Sequence, residues 1–140
     1  MADNKTHIVS LEKIYATEPA TIFDLFKNAI VFKLTGADTI QCDFKSDGLF
    51  CLTFNERGTI HGRFIKITPN DILIEWNVDG FDRPKEIKTL VEITLLEKDK
   101  KCALTLHHKN IQHASAAAAK QKAWKEILDE VENYISSRIN

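Results

Sequence analysis

The chain has 140 residues, 44% of them apolar, with nineteen Lys and Arg against twenty Asp and Glu and a formal net charge of −1. A chain of this length buries about 68–70% of the surface it exposes when unfolded, which is enough for one core of its own. The charge balance excludes the electrostatic footprint of a nucleic-acid binder or a polybasic membrane-surface protein, and 28% charged residues with only five Gly and three Pro exclude disorder and collagen-like repeats.

No apolar run approaches the roughly eighteen residues of a membrane span, and no apolar stretch follows the polar opening MADNKTH. The expectation is a soluble, cytoplasmic protein with a disordered N-terminus at 1–6 and a single domain over 7–140.

In chain order, HIVSLEKIYA reads as a first strand. In TEPATIFDLFKN, Thr17 suits an N-cap, Glu18 and Pro19 suit the first turn, and Ile22, Phe23, Leu25 and Phe26 supply a helical stripe. A short second helix is expected over AIVFKL, stopped by Gly36. The pattern then changes to period two. TIQCDF and LFCLTFN flank KSDG as a hairpin, ERG is a further turn, and TIHGRFIKIT runs to the turn signal Pro69-Asn70-Asp71. ILIEWNV alternates, with Ile72, Ile74, Trp76 and Val78 on one face and Leu73, Glu75 and Asn77 on the other. VDGFDRPKEI reads as the longest loop, and TLVEITLLE and CALTLHHKN as two strands joined by KDKK. The last segment, ASAAAAKQKAWKEILDEVENYISSRI, lacks Gly and Pro and sets Trp124, Ile127, Leu128, Val131 and Ile135 on one helical face.

This order predicts an α+β fold: about six to seven antiparallel strands, one or two short helices after the first strand, and one long C-terminal helix. An antiparallel sheet of that size must cover one apolar face, and the long helix is the element available to cover it. Strands curling around one helix leave a space that is either filled by side chains or kept as a pocket. The pattern leaves both open.

The chemistry to be found is sparse. There is no GxSxG, Gly-rich phosphate loop, HExxH or EF-hand loop, and no catalytic residue, metal site or cofactor is assigned. Cys42, Cys51 and Cys102 lack zinc-type spacing. An even-length loop centred on Ser46 and Asp47 would set Cys42 opposite Cys51, where a bridge is geometrically possible, although two small buried thiols are the simpler expectation. His107 and His108 are adjacent in a strand and point to opposite faces, so they cannot share a metal. His108 falls with Cys102, Leu104 and Leu106 on the inner face. It is either a polar group at a pocket mouth or, the simpler reading, a core-edge histidine hydrogen-bonded nearby.

Trp76 and Trp124 could flank a hydrophobic ligand or simply pack as core, and Phe64 and Phe81 carry the same ambiguity. Arg63 and Arg83 could meet a ligand carboxylate, with lone surface arginines as the default. Lys120, Lys122 and Lys125 read as a solvated helix face, with Lys122 and Glu126 spaced to pair.

Several strings together resemble one family. DGLFCLTF followed by ERGTIHGRFIKITPNDILIEW, then KTLVEITLLEKDKKCALTLHHKNI, then AWKEILDEVENYI, is similar to the domain at the C-terminus of the activator of the heat-shock-ninety chaperone ATPase. That family belongs to the START-like (SRPBCC, helix-grip) superfamily, with birch-pollen-allergen-like proteins and polyketide cyclases. The resemblance runs from about Ile8 to Ile135 and departs at Ala123, where the motif prefers glycine before tryptophan.

It implies a helix-grip fold and a cavity between sheet and last helix, with Phe64, Trp76, Phe81, His108, Trp124 and Leu128 as candidate lining residues. The implied partner is a hydrophobic or amphipathic small molecule. The alternatives are a chaperone or other protein partner, or a cyclase-like reaction using His108. Nucleic acid is not among the expected partners. Fold alone does not choose between these.

Overall fold

The computed structural model describes residues 6–139; the segment 1–6 expected to be disordered lies, but for Thr6, outside them. The chain runs β1 (His7–Tyr15), α1 (Pro19–Lys27), α2 (Ile30–Lys33), β2 (Thr39–Cys42), β3 (Leu49–Phe54), β4 (Gly58–Ile67), β5 (Asp71–Gly80), β6 (Arg83–Lys98), β7 (Lys101–Ile111) and α3 (Ala114–Ile139). The strands form one antiparallel seven-stranded sheet in the order β1-β7-β6-β5-β4-β3-β2. Strands β2 to β7 are a meander, and β1 returns to pair with β7 at the far edge. This is the α+β helix-grip arrangement, with short helices after the first strand and the long helix α3 on the inner face.

Local chemistry sets the helix ends. Pro19 opens α1, where its fixed φ and missing N–H cost nothing. The N-cap is Glu18 rather than the expected Thr17, and no side chain bonds the free N–H groups there. Helix α2 is a single turn entered through Ala29, and the chain leaves it through Gly36, whose φ of +85° is one that side-chain-bearing residues rarely adopt.

Two sequence expectations fail, one at a tight turn and one by a shift in register. The segment read as the longest loop is mostly strand: β5 extends to Gly80, β6 starts at Arg83, and only Phe81 and Asp82 connect them, at φ 60° and 54°. Positive φ at both central residues is the hairpin geometry whose twist matches paired strands. Phenylalanine is not a residue from which such a turn is read.

Cys42 lies opposite Phe50, and Gln41 opposite Cys51, one residue away from the pairing that would have joined the thiols. A one-residue shift moves side chains to the other face. Cys42 therefore packs against the core, Cys51 points out, and all three cysteines are free.

The inner face is filled unevenly. On the Ile74 side of Trp76, Phe32 stacks on Phe50 with ring centroids 5.5 Å apart, and Phe44 and Phe64 close the cluster at 5.1 Å. Helix α3 is fastened over the sheet by apolar contacts of Trp124, Leu128 and Val131. Two polar clamps to β1 join them: the Tyr15 hydroxyl donates to the Leu128 carbonyl at 2.9 Å, and the Lys13 ammonium meets Asp129 at 2.9 Å and Glu132 at 3.1 Å. On the outer helix face the i,i+4 ion pair is Lys125–Asp129 rather than the expected Lys122–Glu126, which is not formed among the described residues.

Truncating the central anchor should show how much of this packing rests on it. Trp124→Ala is expected to lose about 3–5 kcal/mol of unfolding free energy in urea titration. A loss well under 1 kcal/mol would contradict the placement of α3.

Candidate functional site

Four residues on four elements form one line of hydrogen bonds through the core. Trp124 Nε1–H of α3 donates to His108 Nδ1 of β7 at 3.0 Å, and His108 Nε2 lies 2.8 Å from Thr89 Oγ1 of β6. Thr89 Oγ1 donates in turn to the Trp76 carbonyl of β5 at 2.5 Å. The directions are forced. Indole has only a donor, so Nδ1 must carry the lone pair, and the proton therefore sits on Nε2 and points at Thr89. Every polar atom in the line is satisfied with His108 neutral.

Burial, with the Lys120 charge adding to it, pushes the imidazole down to about 3. Both ring nitrogens are committed, and His108 is wholly buried. The indoles of Trp76 and Trp124 pack at 5.1 Å beside it.

A second polar feature was hidden in the sequence. Lys120, expected on a solvated face, is 5% exposed, and its ammonium meets the Glu86 carboxylate at 2.6 Å, with Glu86 itself 2% exposed. Glu86 reaches the inside through a bulge. Trp76 pairs with Thr89 but Val78 pairs with Glu86, so one residue of β5, Asn77, faces two of β6, Ile87 and Lys88, and Lys88 takes φ +54°. The pleat reverses there. Glu86 turns inward, while Ile87, the apolar neighbour that simple alternation from Thr89 would bury, is 52% exposed. Asn77 holds the bulge: its Oδ1 accepts the Lys88 N–H at 2.6 Å and its Nδ2 donates to the His61 carbonyl at 3.1 Å. The signal for Lys120 was present in its spacing, since Ala116, Lys120, Trp124 and Leu128 follow at steps of four and all are buried.

Beside this pair, on the Val78 side of Trp76, lies a cavity of about 180 Å³ between the sheet and α3. Its apolar wall is made by Phe54, Ile60, Trp76, Val78, Phe81, Trp124 and Ile127, and Arg83, Lys120, Ala119 and Ala123 stand on it as well. Of the residues expected to line a cavity, Trp76, Phe81 and Trp124 are on this wall. Phe64 belongs to the phenylalanine cluster, His108 lies behind the two indoles, and Leu128 packs in the core.

Arg63, the other arginine considered, pairs with Asp47 at 2.9 Å on the outer face. A wider groove of about 350 Å³ lies open between α1 and the end of α3, lined by Thr21, Asp24, Tyr134 and Arg138 among others. It does not adjoin the buried polar groups. Among the described residues no group of three His, Cys, Asp or Glu side chains is placed to hold a metal ion, and no helix is long and apolar enough to cross a membrane.

The sequence matches the family model described as Activator of Hsp90 ATPase homolog 1-like protein over residues 16–136. The chain belongs to this family. No curated protein matches it in sequence. Solved structures with the same fold include protein MLL2253 from Mesorhizobium loti, at 14% identity and a TM-score of 0.80 over 94% of this chain and 98% of that one. They also include an HSP90 activator from Plasmodium falciparum, at 21% identity and a TM-score of 0.72 over 92% and 96%. The Aha1 dimer from Colwellia psychrerythraea is similar at 15% identity and a TM-score of 0.75 over 91% and 94%. At these identities the likeness is one of fold.

Within the Hsp90-activator-like fold of this chain, Ala123 faces the cavity and is solvent-exposed, so the methyl group that replaces the expected glycine stands at the mouth and does not fill the interior.

Two outcomes follow from the buried polar groups. Because His108 is held well below its ordinary 6.5, the unfolded chain binds the extra proton first as pH falls. The stability contributed by the neutral ring is complete above about pH 6.5 and is lost as pH drops toward about 3, amounting to about 2 kcal/mol at pH 5. Urea midpoints measured from pH 7.5 to 4.5 should show this slope in the wild type and lack it in His108→Gln; parallel slopes would contradict it.

For the ion pair, Lys120→Met alone should destabilise by about 3–5 kcal/mol by leaving Glu86 buried and uncompensated. Lys120→Met with Glu86→Leu should recover most of that loss. A double variant no better than the single would show that the cost is one of packing.

Proposed function

We propose that this protein is a small-molecule binding module of the cytoplasm, with residues 7–140 acting as one unit and a hydrophobic or amphipathic molecule held between the sheet and α3. The observation that carries this reading is the cavity of about 180 Å³. It lies in a core whose other half is tightly filled with phenylalanine, it is walled by aromatic and aliphatic side chains, and charged groups are confined to one part of the wall. Natural ligand sites combine an apolar lining with a few convergent polar groups in this way. Turnover by His108 finds no support. Both its nitrogens are engaged, and its ring is off the cavity wall among the described residues.

A protein partner is the second reading, and one observation favours it. Ile14, Ala103 and Leu96 form a cross-strand row on the outer face of β1, β7 and β6, with Ile14 and Leu96 exposed. A structure sharing this fold is itself described as an HSP90 activator. A row of three residues is small for a docking face.

Native mass spectrometry of gently purified protein separates the two. The binding reading expects a reproducible mass excess that disappears on denaturation and that Ala123→Trp, which blocks the cavity mouth, abolishes without unfolding the protein. A clean apo mass in both would move the weight to a protein partner.

A further inference from the structure

The cavity wall is apolar except at Thr35, Arg83 and Lys120, and at the two cations its hydrogen bonding is incomplete. Arg83 Nε is buried and bonds to nothing, and no carboxylate lies within ion-pair distance of Arg83 among the described residues. The Lys120 ammonium has three N–H groups and spends one on Glu86 Oε2; among the described residues it meets no other acceptor. Glu86 Oε1 is buried and unpaired as well. Buried polar atoms in folded proteins nearly always have partners, so several unmet atoms in one place need a cause.

The charges do not balance either. Glu86 pairs with Lys120 alone, which leaves the Arg83 charge beside an apolar space with no ion-pair partner among the described residues. The cations are close enough to act on each other: burial first, and the Arg83 guanidinium after it, push Lys120 below its ordinary value, while Glu86 opposes them.

Resting on the binding function proposed above, we infer that the cavity takes a small aromatic monocarboxylate, its ring between Trp76, Phe81 and Trp124 and its carboxylate on Arg83 and Lys120. Size sets the first limit. A dry cavity of about 150 Å³ holds one benzene ring, so about 180 Å³ admits a ring with a short acid arm and not an extended lipid chain.

Shape sets the second. The two indoles are 5.1 Å apart and inclined at 49°, and the Phe81 ring lies under the Arg83 guanidinium at 5.8 Å, so flat aromatic surfaces lead up to the cations. Charge sets the third. A monoanion cancels the single excess positive charge, a neutral molecule leaves it, and a dianion such as a phosphate ester reverses it. Arg83 Nε–H, and the Lys120 N–H groups not spent on Glu86, also offer a carboxylate short charge-assisted bonds. Glu86 acts here as a positioning residue that fixes Lys120 on the wall.

The two tryptophans give two indole N–H signals, and both rings line the cavity, so a ¹⁵N-labelled protein reports occupancy directly. Phenylacetate, its neutral isostere phenylacetamide and the dianion phenylphosphonate would be titrated against wild type and Arg83→Gln. Arg83 is only half-buried and unpaired, so its replacement should fold.

Phenylacetate is expected to shift both indole signals saturably, at least ten-fold more tightly than either analogue. Arg83→Gln should weaken it about ten-fold while leaving phenylacetamide unchanged. Phenylacetamide or phenylphosphonate binding as tightly as phenylacetate, or an Arg83→Gln variant that binds phenylacetate normally, would overturn the carboxylate assignment and leave the binding module standing. Silence toward all three, together with a clean apo mass, would overturn the inference and the binding reading together.

Discussion

The line of hydrogen bonds from Trp124 through His108 and Thr89 to the Trp76 carbonyl is the constraint on which the rest of the inner face depends. It ties α3 to three adjacent strands through side chains that are almost fully buried, and each link admits only one direction of donation. An indole cannot accept, so the histidine cannot protonate without losing Trp124. A histidine held neutral in this way ties the Trp124 indole to the Trp76 backbone, and the two indoles pack at 5.1 Å beside it. The same ring that looks like a candidate acid or base is thereby removed from chemistry, and the wall it supports becomes the more interesting surface.

Beside the cavity lies a local departure in β6. A regular pleat counted from Thr89 would bury Ile87 and expose Glu86, closing the hairpin end with an aliphatic side chain. The extra residue at the bulge inverts this, and Asn77 pays for the unpaired Lys88 N–H with a side-chain carbonyl. A carboxylate now lies inside, and it needs a cation. Lys120 supplies it from α3, which places a buried charge where four-residue spacing otherwise calls for an apolar residue. A buried ion pair is weak evidence for stability, because desolvation offsets most of the attraction. It lies at the end of the core that borders the cavity.

Membership of the Hsp90-activator-like family fixes the scaffold and leaves the occupant open, since the similar structures share fold at 14 to 21% identity. The inner face of this chain has two unlike ends. Phenylalanines fill one end as densely as an ordinary core, whereas at the other end tryptophans and a phenylalanine border a space of about 180 Å³ with two cations on its wall. The contrast lies within one sheet, so it reflects side-chain choice and not the curvature of the fold.

Most of the architecture was legible in the sequence because it rests on short-range periodicity. Alternation in ILIEWNV, the uninterrupted helical stripe through Trp124, Leu128 and Val131, and the proline at the start of α1 each follow from local geometry, and together they determined strand count, helix placement and the inward face of His108. Register was not legible, because it is set by turn conformations such as the positive φ of Phe81 and Lys88, which those residue types do not announce. That is why Cys42 and Cys51 part to opposite faces, and why the supposed loop is a strand pair. The partner of Lys120 was equally invisible. Four-residue spacing marks Lys120 for the buried face, but its partner comes from a strand thirty-four residues away, and long-range pairing of that kind is decided only when sheet and helix close on each other.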